Sequence, residues 1–446
     1  MKKIVLSVVA ASTVASIGSF AADDLASAFK EGKASGQIRA FYINRDYDKR
    51  NESATVKDRA AFAVGGKLGF ETAPVYGVSA GAMFYTTNGL GMKNNDTVKI
   101  DPTLFGTGTD RPDATYLGQA YVQATVGKTT VKVGRQELNT PLAGMDDARM
   151  LPNLFEAAVL INKDLPDTTL IGAVVTRMAS GTFANGYADN TLGLQSGYGW
   201  GDKTGEFRTM SKVALGTGVD NRSVYAVAVI NNSIKNLTLQ VWDYYADDIL
   251  NAIYAQADYK FNLGVDMVAS YQFWNENGIG DQMIKQAGLG SVKGMLNAVK
   301  LAVTPIKGAN VYAAYSKTEQ QKGTGTTLNG GMITPWGGTP GFVQGTVTRL
   351  AYTAGATAWK AGGSYDIMPG LNAHLSYAQF NISSNAQYST GNATHQASET
   401  DFDITYKPAS IKNLELKLRG IYAKDFVANG GGQDFNEYRV IANYNF

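Results

Sequence analysis

The sequence predicts an all-β fold, an 18-stranded antiparallel transmembrane β-barrel with short turns at one end and long loops at the other. Three observations lead to it. Apolar and polar residues alternate with period two in many segments, short and long connections alternate along the chain, and aromatic residues gather at the segment ends. The last residues, NEYRVIANYNF, show the first pattern. Tyr438, Val440, Ala442, Tyr444 and Phe446 fall on one face, and Glu437, Arg439, Ile441, Asn443 and Asn445 on the other.

The same alternation recurs upstream. Residues 265 to 273 place Val265, Met267, Ala269, Tyr271 and Phe273 together, and residues 371 to 377 set Leu371, Ala373, Leu375 and Tyr377 against Asn372, His374 and Ser376. In 296 to 303, Leu296, Ala298, Lys300 and Ala302 oppose Asn297, Val299, Leu301 and Val303. In 414 to 422, Leu414, Leu416, Leu418 and Tyr422 oppose Glu415, Lys417 and Arg419. Half of each such strand is polar, so a hydropathy window misses it.

Turn chemistry sets the strand count. Short connections occur at 72 to 74 (TAP), 127 to 129 (GKT), 162 to 167 (NKDLPD), 231 to 236 (NNSIKN), 260 to 264 (KFNLG), 304 to 309 (TPIKGA), 366 to 370 (DIMPG) and 407 to 413 (KPASIKN). Gly, Asn, Asp and Pro there supply turn geometry. Between them lie longer connections at about 46 to 59, 87 to 115, 139 to 154, 178 to 221, 246 to 251, 275 to 294, 318 to 349, 383 to 398 and 424 to 435. With both termini at the short-turn end, eight short and nine long connections require 18 strands, and one hairpin fewer would leave 16. An even number closes the sheet and leaves no edge in lipid. Phe70, Phe84, Tyr259, Phe273, Tyr365, Tyr377, Tyr406, Tyr422, Tyr444 and Phe446 sit near strand ends, where rings form interfacial girdles.

Composition narrows the class. MKKIVLSVVAASTVASIGSFA carries Lys2 and Lys3, an apolar run from Ile4, and small residues Ser19 and Ala21, the pattern of a secretory leader at 1 to 21, leaving 22 to 446 as one barrel domain. Beyond it the charges balance, 38 basic against 38 acidic, so no net field favours nucleic acid. The absence of cysteine excludes a disulfide scaffold, and no apolar run after the leader is long enough for a transmembrane helix.

These residues together resemble the OprD-type outer-membrane porins and the related major outer membrane porins. The resemblance rests on LASAFKEGKASGQIRAFYINRDYD near the N-terminus, GRQELNTPLAGMDDARMLPNLFEA at 134 to 157, TPWGGTPGFVQG at 334 to 345 and the terminal NEYRVIANYNF. It implies a Gram-negative outer-membrane barrel with periplasmic turns, extracellular loops, a charged pore narrowed by inward-folded loops, and passage of small polar or anionic, carboxylate-bearing solutes. It also implies contact with outer-membrane lipid, and an aromatic C-terminus of the kind read by the barrel insertion machinery. Related porins include monomers and trimers, so a homotrimer stays open. No nucleotide, metal or other cofactor is expected.

A barrel this wide holds water unless loops enter it, so loops and charges at the narrowing set selection. The phasing turns Arg39, Arg45, Lys67, Lys132, Lys300, Lys417, Arg419 and Arg439 toward the lumen. Lys417, Arg419 and Arg439 meet Arg39 and Arg45 where the barrel closes, and could form a basic track for anions. Alternatively these cations pair with Asp258, Asp266, Asp401, Asp403, Glu415 and Glu437 and keep the wall soluble. In the 139 to 154 loop, Asp146, Asp147 and Arg149 suggest opposed charges across the pore. The two adjacent aspartates could also bind a hard cation, but no EF-hand spacing accompanies them.

Catalysis has little to build on. The two histidines are His374 and His395, and His374 and Ser376 lie about 7 Å apart along one strand face, beyond hydrogen-bond reach. No GxSxG, HExxH or CxxC occurs. The competing class is a structural or adhesive surface barrel whose 178 to 221 and 318 to 349 loops touch another cell. Those loops are rich in Gly, Asn, Thr and Ser without repeats.

Overall fold

The computed structural model describes residues 22–48, 57–186, 203–280, 292–320, 330–383, 394–426 and 434–446. The expected leader lies outside them. A short helix, α1 (Leu25–Lys30), precedes the barrel, and eighteen strands form its wall. They are β1 (Lys33–Tyr47), β2 (Arg59–Glu71), β3 (Val78–Asn88), β4 (Ala114–Val126), β5 (Thr129–Gln136), β6 (Leu154–Asn162), β7 (Thr168–Ala179), β8 (Val224–Asn231) and β9 (Leu237–Ala246), followed by β10 (Leu250–Asn262), β11 (Asp266–Gly278), β12 (Lys293–Thr304), β13 (Ala309–Thr318), β14 (Thr357–Met368), β15 (Leu371–Ile382), β16 (His395–Tyr406), β17 (Leu414–Lys424) and β18 (Phe435–Asn445). A further pair, Arg208–Thr209, only brackets the loop end of β7 through Arg177 and Met178.

Every wall strand is antiparallel to its chain neighbours, and β1 pairs with both β2 and β18, so the sheet closes. Ala40 stands opposite Val64 on one side and Ala442 on the other. The eight expected short turns each join the predicted strands, and the nine longer connections leave from the opposite end. Closure satisfies every ladder donor and acceptor, the condition for crossing hydrocarbon without helices. Among the described residues no helix is long and apolar enough to span a membrane.

The outward face follows the alternation. Ile38, Leu68, Val299, Leu375, Leu418 and Val440 are exposed. Their neighbours Arg39, Ala298, Ser376 and Arg439 are buried on the inside. Outward rings form two belts: Phe70, Tyr259, Tyr365, Tyr444 and Phe446 toward the turn end, and Tyr225, Tyr245, Trp359, Tyr422 and Tyr438 toward the loop end. Val440→Arg would put a charge in the band between them. We expect it to destabilise the barrel by roughly 2–4 kcal/mol, measured by urea unfolding in lipid vesicles.

The interior is less uniformly polar than the alternation suggests. Trp242, Tyr244, Tyr254 and Trp274 point inward from β9 to β11 and are buried. They pack under loop residues Leu142, Met332, Ile333 and Trp336 and under helix α2 (Met210–Leu215). Loops fill this side of the lumen with an apolar core. The buried ion pairs lie across the seam of β16, β17, β18, β1 and β2, between smaller apolar clusters that include Phe41, Ile43, Ile421 and Ala423.

Candidate functional site

Among the described residues, the 89 to 113, 137 to 153, 180 to 223 and 319 to 356 loops all place side chains inside the barrel. The 137 to 153 loop is braced by Asn153, whose side chain donates to the Gly144 carbonyl at 2.9 Å and accepts the Gly181 N–H at 2.7 Å. It is bridged to the 319 to 356 loop through Ala143 and Gly337. Gly337 has φ +82°, and a Cβ there would meet Gly144 O at 2.3 Å, so only glycine allows this approach. The Trp336 indole is fully buried and donates to the Met210 carbonyl at 2.9 Å. Glu399 on β16 fixes the same loop by accepting the consecutive N–H groups of Thr346, Val347 and Thr348. The 89 to 113 loop, not anticipated as inward, buries Ile100, Leu104 and Phe105.

Trp336→Ala would remove the anchor common to two loops and α2. A loss of about 3–5 kcal/mol in loop stability is expected from the cavity. The measurable sign is larger and noisier conductance in planar bilayers.

Where the 137 to 153 loop meets the seam, the charges close into ion pairs. Arg39 on β1 grips Asp147 with both terminal amino groups, Nη1 to Oδ1 at 2.6 Å and Nη2 to Oδ2 at 2.7 Å. Its Nε donates to Asn443 Oδ1 at 2.8 Å, and Nη1 also reaches the Arg149 carbonyl at 2.5 Å. The Asp147 side chain keeps 31 % of its surface exposed, whereas that of Arg39 keeps 6 %. This pair is the part of the cluster that meets pore water.

Behind it, Glu437 on β18 is the common acceptor of three arginines. Arg45 Nε donates to Oε2 at 2.7 Å, and Arg439 Nε and Arg149 Nη2 both donate to Oε1, at 2.5 and 3.3 Å. Arg45 stands opposite Glu437 across the closing pair of strands. Arg149 is fixed further by Thr103 Oγ1 at 2.8 Å and by the Phe183 ring, 4.6 Å beneath its guanidinium. Among the described residues, Nη1 and Nη2 of Arg439 have no hydrogen-bond partner. Arg39, Arg149 and Arg439 thus face two carboxylates, Asp147 and Glu437, a surplus of one positive charge before Arg45 is added.

The other predicted residues lie around this centre. Arg419 stands opposite Arg439 in register, but binds Asp403 with Nε to Oδ1 at 2.5 Å and Nη2 to Oδ2 at 3.0 Å. Lys417 is half-buried, one inward position nearer the turn end. Lys132 is apart from the cluster on β5, with Nζ 3.5 Å from the centre of the Tyr121 ring. Asp146 turns from Asp147 toward Arg349 Nη2, 3.7 Å away. Burial pushes its carboxyl above the usual range, opposed by Arg349 and then Arg149.

The loop charges therefore differ in detail from an open transverse pair. Asp146, Asp147 and Arg149 each face an opposite charge from another part of the chain, because a charge removed from water needs a partner. Each aspartate faces its own arginine, not a shared cation cage. Among the described residues no group of three His, Asp or Glu side chains is placed to hold a metal. His374 stacks on Tyr312, while Ser376 donates to Asp401 at 3.5 Å.

Some participants carried no local signal. Thr103 reaches Arg149 only because the 89 to 113 loop folds inward. Glu137 accepts from both Lys67 Nζ and the Tyr85 hydroxyl, each at 2.7 Å, on the β2 to β3 side of the narrowing. Glu437 was legible as a lumenal carboxylate, but not as one shared by three arginines.

A family model described as outer membrane porin, OprD family, matches residues 27–446. Among solved structures, Pseudomonas aeruginosa OccK9 (OpdG) is similar at TM-score 0.73 with 19% identity, covering 94% of this chain and 99% of that one. OccK8 (OprE) of the same organism is similar at TM-score 0.71 with 16% identity, with 94% and 99% covered. Pseudomonas aeruginosa OpdK, solved with vanillate, is similar at TM-score 0.70 with 16% identity and the same coverage. A sequence search of curated proteins gives no match. A family match over nearly the whole chain, on a closed barrel narrowed by its own loops, places this chain in the OprD family of outer-membrane porins.

Proposed function

We propose that this outer-membrane porin passes small anionic solutes, carboxylates among them, by diffusion through the narrowing at Arg39 and Asp147. The supporting observation is the convergence of Arg149 and Arg439, with Arg45, on the single carboxylate of Glu437. These groups are buried, so they act on a passing solute through their field. One surplus charge ~8 Å away attracts a monovalent anion by roughly 0.5 kcal/mol in bulk water and roughly 2 kcal/mol at an effective dielectric of about 20. That corresponds to a preference of about 2-fold to about 30-fold, enough to bias a leak but too weak to trap the solute. Lys417 extends the positive wall toward the turn end. The similar barrel OpdK was solved with vanillate, a carboxylate, which is consistent with this reading.

Single-channel recording in a planar bilayer under a salt gradient tests this reading. The reversal potential is expected on the anion side and to move toward zero as salt rises, since screening weakens the field. Arg439→Ser should reduce the anion preference. Arg419→Ser should do so less, because it frees the negative charge of Asp403 at the wall and not at the cluster. A cation-selective channel would overturn the proposal.

A further inference from the structure

Helix α1 stands at the turn end of β2 and takes no part in the pore. Asp24 Oδ1 caps it by accepting the Ser27 N–H at 2.7 Å. Ala28 is its buried contact, and its carbonyl accepts the Ala73 N–H at 2.9 Å, while Ala22 N–H reaches the Pro74 carbonyl at 2.9 Å. The helix is thus tied to the turn between β2 and β3. Leu25 and Phe29, four residues apart and so on one face, are 70% and 58% exposed.

The side on which they lie is fixed by a ring contact. Phe29 stacks on Phe70, with centroids 6.1 Å apart and planes 4° from parallel, and Phe70 is an outward residue of the wall. The helix therefore sits outside the barrel, at the rim of the lipid-facing band and not beneath the pore mouth. Tyr76 in the adjoining turn is 89% exposed, and outward Val78 and Val126 continue the patch. On the other side of β1, Phe446 extends the collar, pairing its main chain with Gly36 at 2.9 Å. Lys30 and Lys33 flank the helix and can reach phosphate headgroups while their stems follow the apolar rim.

We propose that α1 is an interfacial anchor in the periplasmic leaflet, with Leu25 and Phe29 inserted at the boundary of headgroups and acyl chains. Its partner is phospholipid. The patch is continuous with a surface already in lipid and is amphipathic; exposed Asp23, Asp24 and Glu31 stand beside Lys30 and Lys33, so the apolar face and not net charge carries the attachment. The inference rests on the outer-membrane placement of the barrel and not on its solute preference.

The chain contains no cysteine, so one nitroxide can be attached at each of Leu25→Cys, Phe29→Cys, Lys30→Cys and Leu68→Cys in turn. Leu68, outward on β2, sets the value for lipid. In phospholipid vesicles, collision with oxygen relative to a water-soluble nickel complex should be several-fold higher at 25 and 29 than at 30, approaching the value at 68. Values at 25 and 29 equal to that at 30 would overturn the anchor. Low collision with both reagents, the mark of a protein contact, would overturn it too.

Discussion

Glu437→Gln should destabilise the barrel and raise its anion preference together. The carboxylate is fully buried and accepts from Arg45, Arg149 and Arg439. Removing one partner of a buried ion pair typically costs about 3–5 kcal/mol, because the remaining charge stays in place without compensation. Here three guanidiniums lose the negative charge and one of the two oxygens of their common acceptor, while the isosteric amide keeps the volume. The fraction of barrel resistant to heat in gel electrophoresis should therefore fall at a lower temperature than for the native chain. The reversal potential should shift further to the anion side, since the surplus at Arg39, Arg149 and Arg439 rises from one charge to two. A stable variant of unchanged selectivity would show that Glu437 does not organise the cluster.

The second large effect is expected from Arg39→Gln. Arg39 holds both oxygens of Asp147 and the Arg149 carbonyl, so it joins the strand wall to the tip of the 137 to 153 loop through three hydrogen bonds. Charge-assisted bonds contribute about 1.5–3 kcal/mol each, and the forked pair fixes orientation as well as distance. Its loss leaves Asp147 uncompensated at the point where the cluster meets water. Anion preference should fall, since with Arg45 counted the surplus over Asp147 and Glu437 drops from two charges to one, and single-channel current should flicker as the loop tip is released. The double variant with Asp147→Asn restores the charge difference but not the clamp. It should recover selectivity and keep the flicker. Recovery of both, or of neither, would separate Arg39 from the roles assigned here.

Strand count and phase were legible because both are local. A residue's face depends on its neighbours at two positions, and turn residues such as Asn236 at φ +66° and Gly264 at φ +88° mark where the chain reverses. The outward sets in 265 to 273, 371 to 377 and 414 to 422 needed no knowledge of the pairing partner. The same periodicity set Arg39, Lys132, Lys417, Arg419 and Arg439 on the faces opposite the apolar ones. It could not rank them. Arg419 and Arg439 stand opposite one another, yet one is closed into a forked pair with Asp403 and the other shares an oxygen of Glu437 with Arg149. The apolar side of the lumen had a faint signal, since Trp242 and Trp274 occupy inward positions that a water-filled tube would not favour. Only the folded loops explain them.

By itself the sequence determined a closed, even-stranded barrel, the faces of its strands and the ends at which its turns and loops lie, because period two and turn chemistry act over a few residues. Tertiary structure alone decided which charges meet. Arg149 and Glu437 are 288 residues apart and Arg45 and Glu437 are 392 apart. Their contact depends on the height at which each strand crosses the wall, on closure of β1 against β18, and on loops whose apolar residues fold inward to leave water.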